Sequence, residues 1–165
     1  MDEPEKCAWA GAYQNQDMIC VDSCSGYRGC AYDPRGNQTV FGVDADDDAL
    51  GIAVQNALAG SRFLSIKEIP DFFDYRRVEE RYAERVKSLM ARQGYKTKTA
   101  LFRGMKFCSI RLSKGMIEIV PTTHEELEAW GREKDDGIED VFVVADSTAK
   151  EIGAALRLGF SRCVG

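Results

Sequence analysis

The chain has 165 residues, 44% of them hydrophobic and 30% charged, with a net charge of −5. That is the balance of one folded globular domain spanning 1–165, long enough to bury a core and far from the composition of a disordered chain. The negative charge argues against a nucleic-acid binder taken as a whole. The acidic, polar start from Met1 to Lys6 does not read as a secretory signal, and the longest apolar runs, such as Val141 to Ala145, fall far short of a membrane span. The expectation is a cytoplasmic protein without a membrane partner.

Short β-like runs open the chain, at Ala8 to Tyr13, Met18 to Asp22, Tyr27 to Tyr32 and Gln38 to Gly42. Gly, Ser, Asn and Asp separate them, and Asp33-Pro34-Arg35-Gly36-Asn37 is a turn in which Pro presets φ while Gly or Asn accepts positive φ. Asp44 to Asp48 then supply an N-cap and negative charge for a helix over about 47–60, with Leu50, Ala53, Val54, Ala57 and Leu58 on its apolar stripe. A second helix, about 76–93, carries Val78, Tyr82, Val86, Leu89 and Met90, and Gly94 suits its end. Strands follow at Thr97 to Phe102, Phe107 to Leu112 and Met116 to Val120, the last two joined through Ser113-Lys114-Gly115. After a polar stretch from Glu125 to Glu139, Asp140 to Ala145 reads as a buried strand. A final helix starts near Ser147, where Thr148 and Glu151 have capping-box spacing, and its stripe is Ile152, Ala155, Leu156, Gly159 and Cys163.

This order gives an α+β fold in which two antiparallel sheets of short strands pack with helices. It suggests a (ββββα)x2 pseudo-repeat, and Leu50-Gly51-x-Ala53 echoes Ile152-Gly153-x-Ala155. Two exposed sheet edges would make a homodimer easy to form.

The chemistry-bearing motifs are few. There is no phosphate-cradling glycine loop, no H-E-x-x-H and no G-x-S-x-G. His124 is the single histidine, so a Cys-His hydrolase would have to pair it with Cys108 or Cys24. Asp44, Asp46, Asp47 and Asp48 read as a charged helix start rather than a metal cluster. The six cysteines, at 7, 20, 24, 30, 108 and 163, form no C-x-x-C pair. They are expected to be reduced and mostly small buried apolar residues, with no metal and no cofactor.

Charge distribution says more than the sum. Residues 71–114 hold twelve Lys/Arg against five Asp/Glu, whereas 115–151 hold three against eleven. An acidic face suits a basic partner. The candidate partner-binding residues are Glu125, Glu126, Glu128, Asp135, Asp136 and Glu139, for their charge density in an expected loop. The alternative is a single-stranded nucleic-acid-binding domain using 95–114, where Lys96, Lys98, Arg103, Lys106, Arg111 and Lys114 are interleaved with Tyr95, Phe102 and Phe107.

Three further stretches carry a likeness to a known family. They are Ser61-Arg62-Phe63-Leu64, then Gly94 to Ile110 with Tyr95-Lys96-Thr97-Lys98 and Ala100-Leu101-Phe102-Arg103, and the ending from Ile152 to Cys163. With Trp9, Tyr13, Gly26-Tyr27 and Asp33-Pro34-x-Gly36, the chain resembles the immunity proteins of bacterial contact-dependent growth inhibition (CDI) systems. The resemblance implies a non-catalytic cytoplasmic protein that binds the cognate CdiA C-terminal toxin domain and occludes its active site. Many such toxins are nucleases, often acting on tRNA, and a nuclease cleft must be electropositive to hold its substrate. No direct contact with nucleic acid is then expected.

Overall fold

A computed structural model describes residues 3–165; Met1 and Asp2 of the acidic N-terminus lie outside the described residues. Side chains on both faces of the central strands are buried, because each face is covered by its own layer. In β1 (Ala8–Gln14), Ala8, Ala10 and Ala12 face one layer and Tyr13 the other. In β2 (Met18–Gly26), Ile19 and Val21 face the first layer, Met18 and Cys20 the second.

Around β1 and β2 the main sheet has seven antiparallel strands. β3 (Cys30–Tyr32) and β4 (Gln38–Gly42) share the outer edge of β2. From β2 the order runs through β1, β5 (Lys106–Ser113) and β6 (Met116–Pro121) to β9 (Val141–Val144). The middle pairing, β1 with β5, sets Gly11 opposite Ser109 and Ala12 opposite Cys108. A hairpin of β7 (Thr123–Glu126) and β8 (Ala129–Gly131) forms the second, two-stranded sheet. The α+β class and the antiparallel pairing hold. The strands of the two halves, however, lie side by side as two blocks of one sheet, joined where β1 pairs with β5, rather than making a sheet each, and the pseudo-repeat is not confirmed.

One layer consists of α1 (Asp47–Ala59) and α5 (Ala149–Arg162), which bury Leu50, Val54, Ile152, Leu156 and Phe160 against Ile19, Val21, Ile110 and Ile119. Asp46 caps α1 through Ala49 N–H at 2.8 Å, and Thr148 and Glu151 form a full capping box on α5. The two helices touch main chain to main chain. A Cβ on Gly51 would stand 1.7 Å from the Ala149 carbonyl oxygen, and one on Gly153 would stand 1.8 Å from that of Asp47. The short echo between the helices is therefore a reciprocal contact, each glycine making room for the first turn of the other helix.

The opposite face is covered by α3 (Tyr75–Gln93), α4 (Lys98–Phe102) and the β7–β8 hairpin. Its core is Met18, Cys20, Val86, Leu89, Leu101, Phe102 and Met105, with Tyr13, Tyr82 and Trp130 against it. A short α2 (Ile69–Phe72) precedes α3.

Four expectations need correction, the first being the buried strand at Asp140 to Ala145: β9 is an edge strand with Phe142 and Val144 exposed. Thr97 to Phe102 is not a strand: the Thr97 hydroxyl caps Ala100 N–H at 3.1 Å, and the N–H groups of Leu101 and Arg103 bond back to the carbonyls of Thr97 and Thr99 in a helical turn. Tyr27 to Gly29 form a turn closed by Tyr27 N–H on Gly29 C=O at 3.0 Å, so the strand begins only at Cys30. The polar run after Glu125 is partly the β7–β8 hairpin, drawn to the protein by Trp130.

Candidate functional site

Trp130 decides where the acidic segment sits. Its ring meets Tyr13, Phe102 and Phe107 at centroid distances of 5.7, 5.9 and 6.0 Å, and its indole N–H donates to Met105 C=O at 2.8 Å. His124 stacks on the outer face of the same ring at 4.9 Å and places Nε2 2.9 Å from the Leu127 carbonyl. The hairpin is thus anchored from below, and its tip carries Glu125, Glu126, Leu127 and Glu128 out to solvent.

The following loop is organised by Arg132. Its guanidinium pairs with Asp136 at 2.8 Å and Asp140 at 2.7 Å, and donates to the carbonyls of Ile138 and Pro121. Asp136 also accepts from the N–H groups of Glu133 and Ile138, and the Arg132 guanidinium beside it holds its carboxyl below the ordinary aspartate range. Asp135 sits at φ +64 and Gly137 at +77, the left-handed turn that lets the loop close on Arg132.

The six candidate carboxylates therefore divide. Glu125, Glu126, Asp135 and Glu139 are exposed. Glu128 accepts the Tyr82 hydroxyl at 2.7 Å and lies 3.5 Å from Lys98 Nζ. Asp136 holds the loop together. Sequence reading assigned all six one role, because local charge density does not reveal which carboxylate is tied to a cation.

The other candidates are dispersed. Phe102 is buried, Phe107 lies 4.6 Å from the Tyr13 ring, and the Tyr95 hydroxyl donates to Asp17. Phe102 and Phe107 are thus taken up by the core, and Tyr95 is half-buried against it. The Cys108 sulfur faces Cys163, while the His124 ring is engaged by Trp130 and Leu127. Asp46 serves as a cap and Asp47 pairs with Arg157 at 2.7 Å, so two of the four clustered aspartates have structural roles. Among the cysteines, Cys20 and Cys108 are buried, whereas Cys30 is exposed.

Two features were missed. Arg85, counted with the basic surface, is buried with Asp22 at 2.5 Å and lies 4.3 Å over the Tyr13 ring. Burial alone would lower the Arg85 guanidinium, but attraction to Asp22 outweighs it and holds the group above its ordinary range. Asp22 also accepts from Gln38 Nε2 at 2.8 Å, so the pair joins β2, β4 and α3. The second is a notch of about 480 Å³ between the 33–35 turn, α2 and α3. Its charges are cross-braced, with Arg62 on Asp33 and Glu68 and Arg77 on Asp71.

What the fold and these surfaces define is an α+β protein with one antiparallel sheet between two covering layers and an anchored acidic hairpin facing solvent. Comparison with known proteins makes the assignment specific. The profile of the family CdiI, CDI immunity protein, matches residues 8–163, and the chain belongs to this family. It is 44% identical to the immunity protein CdiI-YPIII of Yersinia pseudotuberculosis serotype O:3 (strain YPIII), with all of both chains covered. It also matches a chain of a CdiA-CT/CdiI toxin and immunity complex from Yersinia pseudotuberculosis, at 45% identity and a TM-score of 0.89, over 98% of this chain and 99% of that one. A protein of unknown function from Neisseria meningitidis matches at 36% identity with the same TM-score, over 99% of each chain.

The stretches that suggested the family have structural work. Ser61 Oγ donates to Cys24 C=O and accepts Trp9 N–H, Arg62 grips Asp33, and Leu64 is buried. Thr97 caps α4, and Ile152, Gly153 and Gly159 pack α5.

Proposed function

We propose that this chain binds and neutralises the C-terminal toxin domain of a CdiA-type protein, and that it does so by covering the toxin's active site without turnover. The observation that carries the reading is the full-length likeness to a chain of a toxin and immunity complex. The proposed toxin is a nuclease, often of tRNA, because a basic substrate cleft complements an acidic inhibitor surface. The surface proposed for it is the hairpin and loop presenting Glu125, Glu126, Asp135 and Glu139, which are exposed while the main chain beneath them is fixed by Trp130 and Arg132. Protection is then steered, tight association.

The test is coexpression of the chain with the C-terminal domain of the large exported protein encoded beside it. Rescue of growth and copurification are the expected results; a harmless domain, or killing regardless of this chain, would refute the reading. The surface is tested separately, by measuring toxin affinity for Glu125→Lys/Glu126→Lys and Asp135→Lys/Glu139→Lys. A fall of tenfold or more at low salt is expected for rim charges acting together, about 1.4 kcal/mol. Unchanged affinity moves the interface elsewhere. Asp136 is a poor probe, because its reversal would break the Arg132 loop whatever the interface.

A further inference from the structure

Two cysteines far apart in sequence meet at the edge of the first core. Cys108 points from β5 toward α5, and Cys163 is the residue that ends α5. Their sulfurs are 3.7 Å apart. The space is shaped for this contact: Gly159 lies one turn before Cys163, and a Cβ there would stand 3.3 Å from Cys108 Sγ and 2.7 Å from Ile119 Cγ2. The helix therefore leaves a gap over Cys108 that the Cys163 side chain closes. A disulfide needs sulfurs at about 2.05 Å, and the remaining approach falls on a residue with extended backbone just past the helix end. Cys108 is fully buried, whereas Cys163 is half-buried.

We propose that Cys108 and Cys163 are a modification site, a dithiol that peroxide converts into a reversible intrachain disulfide. The Cys163 thiolate attacks one peroxide oxygen; an S–O bond forms, the O–O bond breaks, and hydroxide leaves and takes up a proton to become water. The Cys108 sulfur then attacks the sulfenic acid, forming the S–S bond, while the hydroxyl leaves as water with the Cys108 proton. Two thiols and one hydrogen peroxide yield one disulfide and two waters; sulfur is oxidised and the peroxide oxygens are reduced.

The order of attack follows from the surroundings. Cys163 is the more exposed sulfur, and its contact with Cys108 lowers its thiol from the ordinary value against the opposing effect of burial, with the Thr122 N–H and the Lys106 charge helping. The same contact, followed by burial, keeps Cys108 protonated, well above the ordinary thiol value. Cys163 is then the nucleophile and Cys108 the resolving thiol. The bond would tie β5 to a tail that already braces the hairpin, since Val164 N–H donates to Thr122 C=O and His124 N–H to Val164 C=O.

The test is to treat the reduced protein with hydrogen peroxide and map its peptides without reduction. Expected are an intact mass lower by two hydrogens, a Cys108–Cys163 linked peptide, and reversal by dithiothreitol. The oxidised form should melt at least about 5 °C higher, and Cys163→Ser should remove both the link and the shift. Full alkylation of both thiols after peroxide would overturn the proposal. So would Cys163 trapped as sulfinic acid with no linked peptide, or linkage found only among Cys7, Cys24 and Cys30. Mapping of the unsubstituted protein decides the matter even if the serine variant does not fold.

Discussion

Replacing Gly153 by alanine tests the contact between α1 and α5 directly. The new Cβ would stand 1.8 Å from the Asp47 carbonyl oxygen, whereas van der Waals contact between heavy atoms begins near about 3.5 Å. The obstacle is main chain, so no rotamer change relieves it, and the helices must part by roughly 1.5 Å. Overpacking of this kind costs about 1–3 kcal/mol, and a backbone obstacle puts it at the upper end. Alanine returns about 1 kcal/mol through its better helix propensity. The net expectation is a loss of about 2 kcal/mol, a fall in Tm of about 4–8 °C for a chain of this size. Gly51→Ala should behave alike, because its Cβ meets the Ala149 carbonyl oxygen at 1.7 Å. The double variant should lose less than the sum of the two, since helices parted by one methyl already accommodate the second. Thermal and urea unfolding read all three. A Gly153→Ala variant as stable as the parent would refute the reciprocal contact, and strict additivity would refute its being one interface.

Two further outcomes follow from buried charge. Asp22→Ala leaves the Arg85 guanidinium buried and unpaired, a loss of about 3–5 kcal/mol, whereas Asp22→Leu with Arg85→Met should recover most of it; a single-variant loss below about 1 kcal/mol in urea unfolding would contradict this. Asp33 has a carboxyl lowered from the ordinary value: burial pushes it up, but hydrogen bonds from Arg62, Ser25 and the Arg35 N–H outweigh burial. A lowered folded-state value means stability that is fully present above the unfolded aspartate value, about 3.9, and lost as pH falls through the folded one. Asp33→Asn should therefore flatten the acid limb of a stability–pH curve below about pH 4, and an unchanged limb would remove Asp33 from that role.

How much of this was legible in the sequence depended on the range of the deciding interaction. Helix α1 was readable because its cap, acidic first turn and stripe of Leu50, Ala53, Val54, Ala57 and Leu58 are all local, and every one of those stripe residues is buried. β5 and β6 were readable from alternation and a compact turn. Arg85 was not, because its partner Asp22 lies 63 positions away and nothing nearby marks an arginine as buried. The α4 turn was missed for a related reason: Leu101 and Phe102 are both buried by α3 and the hairpin, and that tertiary demand overrides a β-like composition. At the acidic surface the net charge and position were visible. The division into free carboxylates and ones tied by Arg132 and Tyr82 was not, since it rests on how the loop closes.

The pairing of β1 with β5 has a kinetic consequence. Residues 8–14 occupy the middle of the sheet only when 106–112 lie beside them, and α5 completes the first core only when 149–162 have been made. During synthesis at about 5–20 residues per second, the first hundred residues wait for several seconds with β1 paired to β2 alone and its other edge open. Long-range pairing of this kind also slows the folding step itself. The fold is thus complete only once residues 149–162 are in place, long after the opening hairpin of β1 and β2 has been made.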